Sequence, residues 1–446
     1  MKSQFVKIFG VTLLTMLISV AVVGCGSKDE KNETNQEVTK KEVTNKEPII
    51  INYPTHQIGT NSGAPVLKEN VRLFNEKYKG EIEVVIEEIP GDQAYVDKMK
   101  ILLSADALPD LVYTGGYNLL DPALAITNVV DLTPYLEEDS EWKASLDPTD
   151  LEFNSRDGKC YGVTEEKQLI GYFYNKELFA KAGLEGPAKT WDEFFEQCEK
   201  LKAAGITPLS MDTVDSGWVT SLWLASMIGT NGQVGNDFMN KNNIKDYNTP
   251  EMLDAVTKIQ KMFQEYTTVD AIGGKYENAA NNFLAGKTAM MANGPWMIPD
   301  FSNEEMTSKD FYTKVGAALY PEAGVFDAPM VGYFVASDDK EHADATVKFL
   351  KFITSEEAQI RALNMIGRIP PSPKLKLDEQ TKQKQPLLAE LVELKQDAKY
   401  RYSYHQGVWY PNVIDRVSTD YPSLGIGDIT PVEFINRLNE SAQKNE

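Results

Sequence analysis

The strongest constraint on this chain is an alternation near its start: strand, helix, strand, helix, strand, between residues 48 and 116. Residues 48–53, Pro-Ile-Ile-Ile-Asn-Tyr, form a β-rich run. From Pro65 the apolar residues Leu67, Val71, Phe74 and Tyr78 recur at helical spacing up to Gly80. Residues 82–86, Ile-Glu-Val-Val-Ile, predict a second strand, Tyr95, Met99 and Leu102 a second helix, and residues 108–113 a third strand closed by Gly115 and Gly116. This order predicts an α/β fold that begins as a parallel, doubly wound sheet. Ligands of such sheets bind beyond the carboxyl ends of the strands. His56 and Gln57 after the first strand, and Tyr117 after the third, are therefore candidate ligand contacts.

A second α/β unit reads from about 165 to 290. Residues 168–175 predict a strand, and Thr190-Trp-Asp-Glu193 fits a capping box for a long helix. Residues 206–211 predict another strand, and a polar loop from Asp212 to Gly217 leads to a helix that starts at Trp218. Trp218 reads equally as a stacking platform or as core, Asp212 is a loop carboxylate at a strand end, and Trp191 and Trp223 read as structural. Residues 283–296 then combine a helix end with Gly286 in the left-handed cap position, an apolar strand (288–292) and a turn at Asn293-Gly294. Pro295 suits the first position of the next helix, which places Trp296 at a strand–turn–helix junction.

The first 24 residues pair Lys2 and Lys7 with an apolar run from Ile8 to Val23 and contain no acidic residue, the pattern of a signal peptide. They end in Val22-Val-Gly-Cys25, which resembles the bacterial lipobox and implies diacylation of Cys25 with cleavage before it. Residues 26–47 are Lys-, Glu-, Asn- and Thr-rich and cannot bury enough to fold. A flexible tether of this length spans roughly 25 Å. No later run is long and apolar enough to span a bilayer. Export permits a disulfide between Cys160 and Cys198, and two free thiols fit the sequence equally. The formal net charge of −21 argues against nucleic acid as a partner. Nucleophile-elbow, phosphate-loop and zinc-helix motifs are missing. His56, His342 and His405 are scattered, which predicts no metal site and no cofactor. A pair of carboxylates for glycoside hydrolysis can lie anywhere in a chain this acidic.

Six segments, in order along the chain, resemble the extracellular solute-binding proteins of ABC importers, in the carbohydrate-binding group akin to maltose-binding protein. They are Leu108-Pro-Asp-Leu-Val112, Tyr161-Gly-Val163, Tyr172 to Phe179 with Lys181-Ala-Gly183, Thr190 to Phe194, Ala285 to Met290 with Gly294-Pro-Trp296, and Phe349 to Ala358. The resemblance implies two α/β lobes joined by a hinge, with ligand captured in the cleft between them. It maps one lobe to 48–162 plus 294–333 and the other to 163–293 plus 334–446. Crossings then fall at 161–163, 293–294 and 332–334. Trp296 matches a family position that commonly stacks on sugar, and flat apolar faces with planar polar groups suit pyranose rings. Trp409, with Tyr404, His405 and Tyr410, reads as an aromatic loop at the cleft rim, and Tyr333 follows Gly332 at a hinge. Glu165 and Glu166 read as a solvated surface pair. What the resemblance implies as a whole is a non-catalytic, monomeric lipoprotein on the outer face of a bacterial cell membrane, delivering an oligosaccharide to a permease. A polyol, a peptide or a phosphorylated metabolite is the alternative ligand, and a secreted glycosidase the alternative activity.

Overall fold

A computed structural model describes residues 47–59 and 61–445. The signal segment, Cys25 and the tether lie outside the described residues. The described chain builds two lobes around separate hydrophobic cores.

In the first lobe, strands Ile49–Thr55 and Ile82–Glu88 pair in parallel, as the alternation predicts. Helix Ala64–Lys77 buries Leu67, Val71 and Phe74 on one side. Phe74 meets Phe349 edge-on at 4.9 Å, which brings the late helix Lys340–Ile353 onto the same core. Each such side chain contributes roughly 1.5–3 kcal/mol by leaving water. The third strand is short, Leu111–Val112, and pairs antiparallel with Phe334–Val335. That pair is a separate two-stranded antiparallel sheet, completed by a strand returned from far along the chain.

The larger lobe is organised on a four-stranded sheet in the order Thr207–Leu209, Thr288–Asn293, Gly171–Asn175, Val315–Ala318. Every residue of Thr288–Asn293 is buried there, and Gly286 ends the preceding helix with φ of +66°. Thr190 caps helix Trp191–Ala203 by accepting from the Glu193 amide. Cys160 lies in the first lobe's core and Cys198 in the second's, so both are free thiols. No helix among the described residues is long and apolar enough to cross a membrane.

The lobes divide the chain differently from the sequence expectation. Asn293 pairs with Gly171 inside the larger lobe's sheet and marks no crossing. The chain after it stays in that lobe, because Met297, Ile298 and Phe301 enter its core and Phe301 meets Phe173 edge-on at 5.0 Å. Conversely, Phe334–Val335 and Lys340–Ile353 belong with the first lobe, through Val112 and Phe349. The crossing at 161–163 and the one at 332–334 meet each other, with Val163 and Tyr333 exchanging backbone hydrogen bonds of 3.0 and 2.8 Å. The third crossing comes after Ile366, where the Lys167 amide donates to the Ile369 carbonyl at 2.9 Å.

One buried cation ties these crossings together. Arg368 Nη1 lies 2.7 Å from Glu165 and its Nε 3.3 Å from Glu166. Glu165 also accepts from the Tyr333 hydroxyl at 2.9 Å, and Tyr53 donates to Tyr333 at 3.3 Å. Glu165 and Glu166 are thus an internal pair, and Tyr333 is a buried residue of the crossing, because Arg368 arrives from the third crossing to neutralise the two carboxylates. Removing the guanidinium strands two carboxylates in the interior, so Arg368→Met is expected to cost about 3–5 kcal/mol at pH 7 in urea unfolding. Burial raises the Glu166 pKa, so the deficit should narrow at pH 5 as that carboxyl takes up a proton. A deficit unchanged between the two pH values would contradict this assignment.

Candidate functional site

The chain places an aromatic platform on the larger lobe. A polar loop after strand Thr207–Leu209 turns through Gly217 into helix Trp218–Gly229, so Trp218 stands half-exposed at the first helical position. Strand Thr288–Asn293 ends beside it and delivers Trp296, also half-exposed. The two indoles lie 5.6 Å apart at 57°, and Tyr276 meets Trp218 edge-on at 6.0 Å. Gly294 makes this possible: a Cβ there would lie 2.3 Å from the Trp296 ring, so only glycine lets the indole fold back over the backbone. Asn293 Nδ2 donates to the Tyr276 hydroxyl at 3.0 Å and fixes the third ring.

Asp212 sits behind this platform rather than on it. It is buried, and its Oδ1 accepts from the Thr220 amide at 3.1 Å near the helix start. Burial outweighs these hydrogen bonds and pushes its pKa up to about 7. Its role is to hold the first turn that carries Trp218.

The first lobe supplies polar groups opposite. His56 packs between Tyr95 and Tyr113 at 5.3 and 5.5 Å, and its Nε2 lies 3.4 Å from Asp92. Burial lowers the His56 pKa, so the ring is neutral at physiological pH, and its Nδ1 has no partner among the described residues. Asp92 is exposed at the start of helix Asp92–Ser104, and burial raises the pKa values of the neighbouring Tyr117 and of Tyr276. Tyr117 accepts from Gln406 Nε2 at 3.0 Å and bonds Ser216, two residues before Trp218. Sequence reasoning missed Asp92, Tyr276, Ser216 and Gln406. Asp92 follows the second strand and was open to the same strand-end rule that found His56.

The lobes meet along a seam beside the platform. The Asn118 amide donates to the Gln406 carbonyl at 3.1 Å, and the Tyr404 hydroxyl to the Gly115 carbonyl at 2.9 Å. Lys100 pairs with Asp415 at 2.9 Å. Tyr404 is therefore a buried closure contact. Gly116 has no room for a side chain, since a Cβ would stand 1.7 Å from the Tyr404 oxygen.

Two sequence candidates fall outside the site. Gln57 is buried within its own loop, with its amide group under Gly63. Trp409 is fully buried, edge-on to Tyr247 at 4.9 Å and to His405 at 5.3 Å, and is no rim residue. The loop reading failed there because residues 405–408 form a buried helical turn.

The profile of the bacterial extracellular solute-binding protein family matches residues 70–390. The multiple sugar-binding protein of Streptococcus mutans is 22% identical over 331 residues, covering 67% of this chain and 74% of that protein. An sn-glycerol-3-phosphate-binding periplasmic protein of Rhizobium meliloti is 25% identical over 210 residues, 44% of this chain and 46% of that one. Among solved structures, a chitin oligosaccharide binding protein superposes with a TM-score of 0.80 at 20% identity, over 89% of this chain and 98% of that chain.

Two measurements check these placements. Trp409→Ala should lose about 3–5 kcal/mol of unfolding free energy, as for other buried large aromatics, and Trp296→Ala much less. For Asp212 the sign follows from its raised pKa. The folded state keeps a proton that the unfolded carboxyl has released, so ionisation costs stability between about pH 4 and 7. Asp212→Asn cannot ionise, and should therefore gain on the parent in urea unfolding as pH rises from 5 to 8. An equal difference at both ends would show that burial does not govern this group.

Proposed function

Because the chain belongs to the bacterial extracellular solute-binding proteins, we propose that it captures an oligosaccharide between its lobes and delivers it to the permease of an ABC importer. The observation that carries this reading is the half-exposed Trp218–Trp296 pair, 5.6 Å apart beside the seam where the lobes close. Sugar rings present flat C–H faces that pack on indoles, and their hydroxyls need planar or charged acceptors nearby. His56, Asp92, Tyr117 and Tyr276 supply those groups. Contacts to both lobes make the ligand stabilise the closed arrangement, which is the form presented to the permease. No bond is made or broken; the protein acts as a monomeric receptor without cofactor.

The sugar-binding relative and the chitin-oligosaccharide-binding neighbour support this reading. The glycerophosphate-binding relative favours a phosphorylated polyol instead. A phosphate calls for an unpaired arginine or lysine, and the cations beside this cleft are already paired: Arg368 with Glu165 and Glu166, Lys100 with Asp415, and Lys275 with Asp215. The reading also includes a lipid anchor at Cys25, with residues 26–47 as tether on the outer membrane face.

Calorimetry over a panel of glycans of two to six units is the direct test. One series should bind, and Trp296→Ala should weaken it about tenfold or more, the scale expected of a central aromatic contact, with little change in thermal unfolding. Tight binding of a non-sugar solute with no glycan response would overturn the proposal.

A further inference from the structure

Asn293 ends strand Thr288–Asn293 beside the platform, fully buried, with both ends of its side-chain amide in use. Its Oδ1 accepts from the Gly294 amide at 2.8 Å. A backbone N–H can only donate, so this bond fixes which end of the side chain is oxygen and turns Nδ2 the other way. Nδ2 donates to the Tyr276 hydroxyl at 3.0 Å and to Met297 Sδ at 2.9 Å. The consequence falls on Tyr276, the first residue of helix Tyr276–Leu284. Its oxygen accepts from an NH2 group that cannot accept in return, so its own proton must turn elsewhere. No group among the described residues takes that proton. Burial keeps it on the phenol by raising the pKa. The ring is partly exposed and stands edge-on to Trp218 at 6.0 Å, which puts an unspent donor at the margin of the indole pair.

Resting on the carbohydrate reading above, we propose that Asn293 is a positioning residue that presets Tyr276 as a hydrogen-bond donor, so that the site selects sugars with an oxygen acceptor beside the ring stacked on Trp218 and Trp296. That acceptor is a hydroxyl, ring or amide oxygen of the sugar. A donor already aimed loses little freedom when the sugar arrives, whereas a freely turning phenol hydroxyl must be ordered on binding. Asparagine serves both ends of this arrangement. Aspartate would accept from Gly294 equally well, but it would also accept from Tyr276, reversing that bond and withdrawing the proton from the sugar. The same side chain holds the turn at Gly294, whose missing Cβ gives the Trp296 ring its space. One buried amide therefore sets both the flat and the directional part of the larger lobe's surface.

The probe is the glycan of the two-to-six-unit panel that the parent chain binds most tightly, followed by calorimetry at about pH 7.5, far from the phenol's own titration. Tyr276→Phe removes only the hydroxyl and should weaken binding about three- to tenfold, the worth of one hydrogen bond. Asn293→Asp keeps the acceptor for the Gly294 amide and reverses the bond to Tyr276, so it should weaken binding by a similar factor. In the Tyr276→Phe background the same Asn293→Asp change should cost nothing further. A residue that only shapes the turn would cost as much in either background. Should the buried carboxylate prevent folding, Asn293→Ser, too short to reach Tyr276, enters the same cycle with the same expectation. Binding unchanged by Tyr276→Phe, or an Asn293 effect that adds to it in full, would overturn this inference and leave the carbohydrate reading standing. Failure of the parent chain to bind any glycan of the panel would overturn both.

Discussion

A single guanidinium holds the architecture together. Arg368 lies on the third crossing between the lobes, Glu165 and Glu166 on the first, and Tyr333 on the second, and all four groups share one buried network. Two carboxylates cannot remain ionised in the interior without a cation, and a buried cation needs the carboxylates as much. The three crossings are thereby locked into one unit. Tyr53 extends the network into the parallel strand pair of the first lobe, so the network is anchored in a core rather than in a loop.

A division of labour also appears between the lobes at the candidate site. The larger lobe contributes flat surface, because a helix start and a strand end converge to present Trp218 and Trp296. The first lobe contributes directional polarity, through His56, Asp92 and Tyr117. Asp212 and Gly294 touch neither the seam nor the opposite lobe, yet they set the platform's geometry: one orders the helix turn beneath Trp218, the other clears the space into which Trp296 folds. Flat apolar surface and polar groups therefore sit on separate lobes.

What the sequence disclosed was whatever is decided locally. Thr190 and Gly286 announce helix ends because their side chain, or lack of one, acts on its own neighbours. The parallel strands of the first lobe follow from periodicity. Destinations are another matter. Phe301 and Phe349 carry the same chemistry into different cores, and nothing near either residue in sequence says which. Trp409 and Trp296 both stand in aromatic, turn-rich stretches. One is sealed by Phe238 and Tyr247 from elsewhere in the lobe, and the other is left uncovered. Glu165 and Glu166 look like surface residues for the same reason, since the cation that internalises them lies far along the chain. Fold class and half of the platform were legible locally; lobe membership and the hinge network depend on long-range partners.

The seam at Gly116 has an evolutionary consequence. Two of its hydrogen bonds end on backbone groups, the Asn118 amide with the Gln406 carbonyl and the Gly115 carbonyl with the Tyr404 hydroxyl, and its closest approach is secured by a residue with no side chain. Substitution of Asn118 or Gln406 therefore leaves their backbone-to-backbone bond in place. The platform of Trp218, Trp296 and Tyr276, by contrast, is built of side chains and open to substitution one at a time. A lineage built on this plan can reshape the platform by point mutation while the backbone part of the seam between the lobes stays the same.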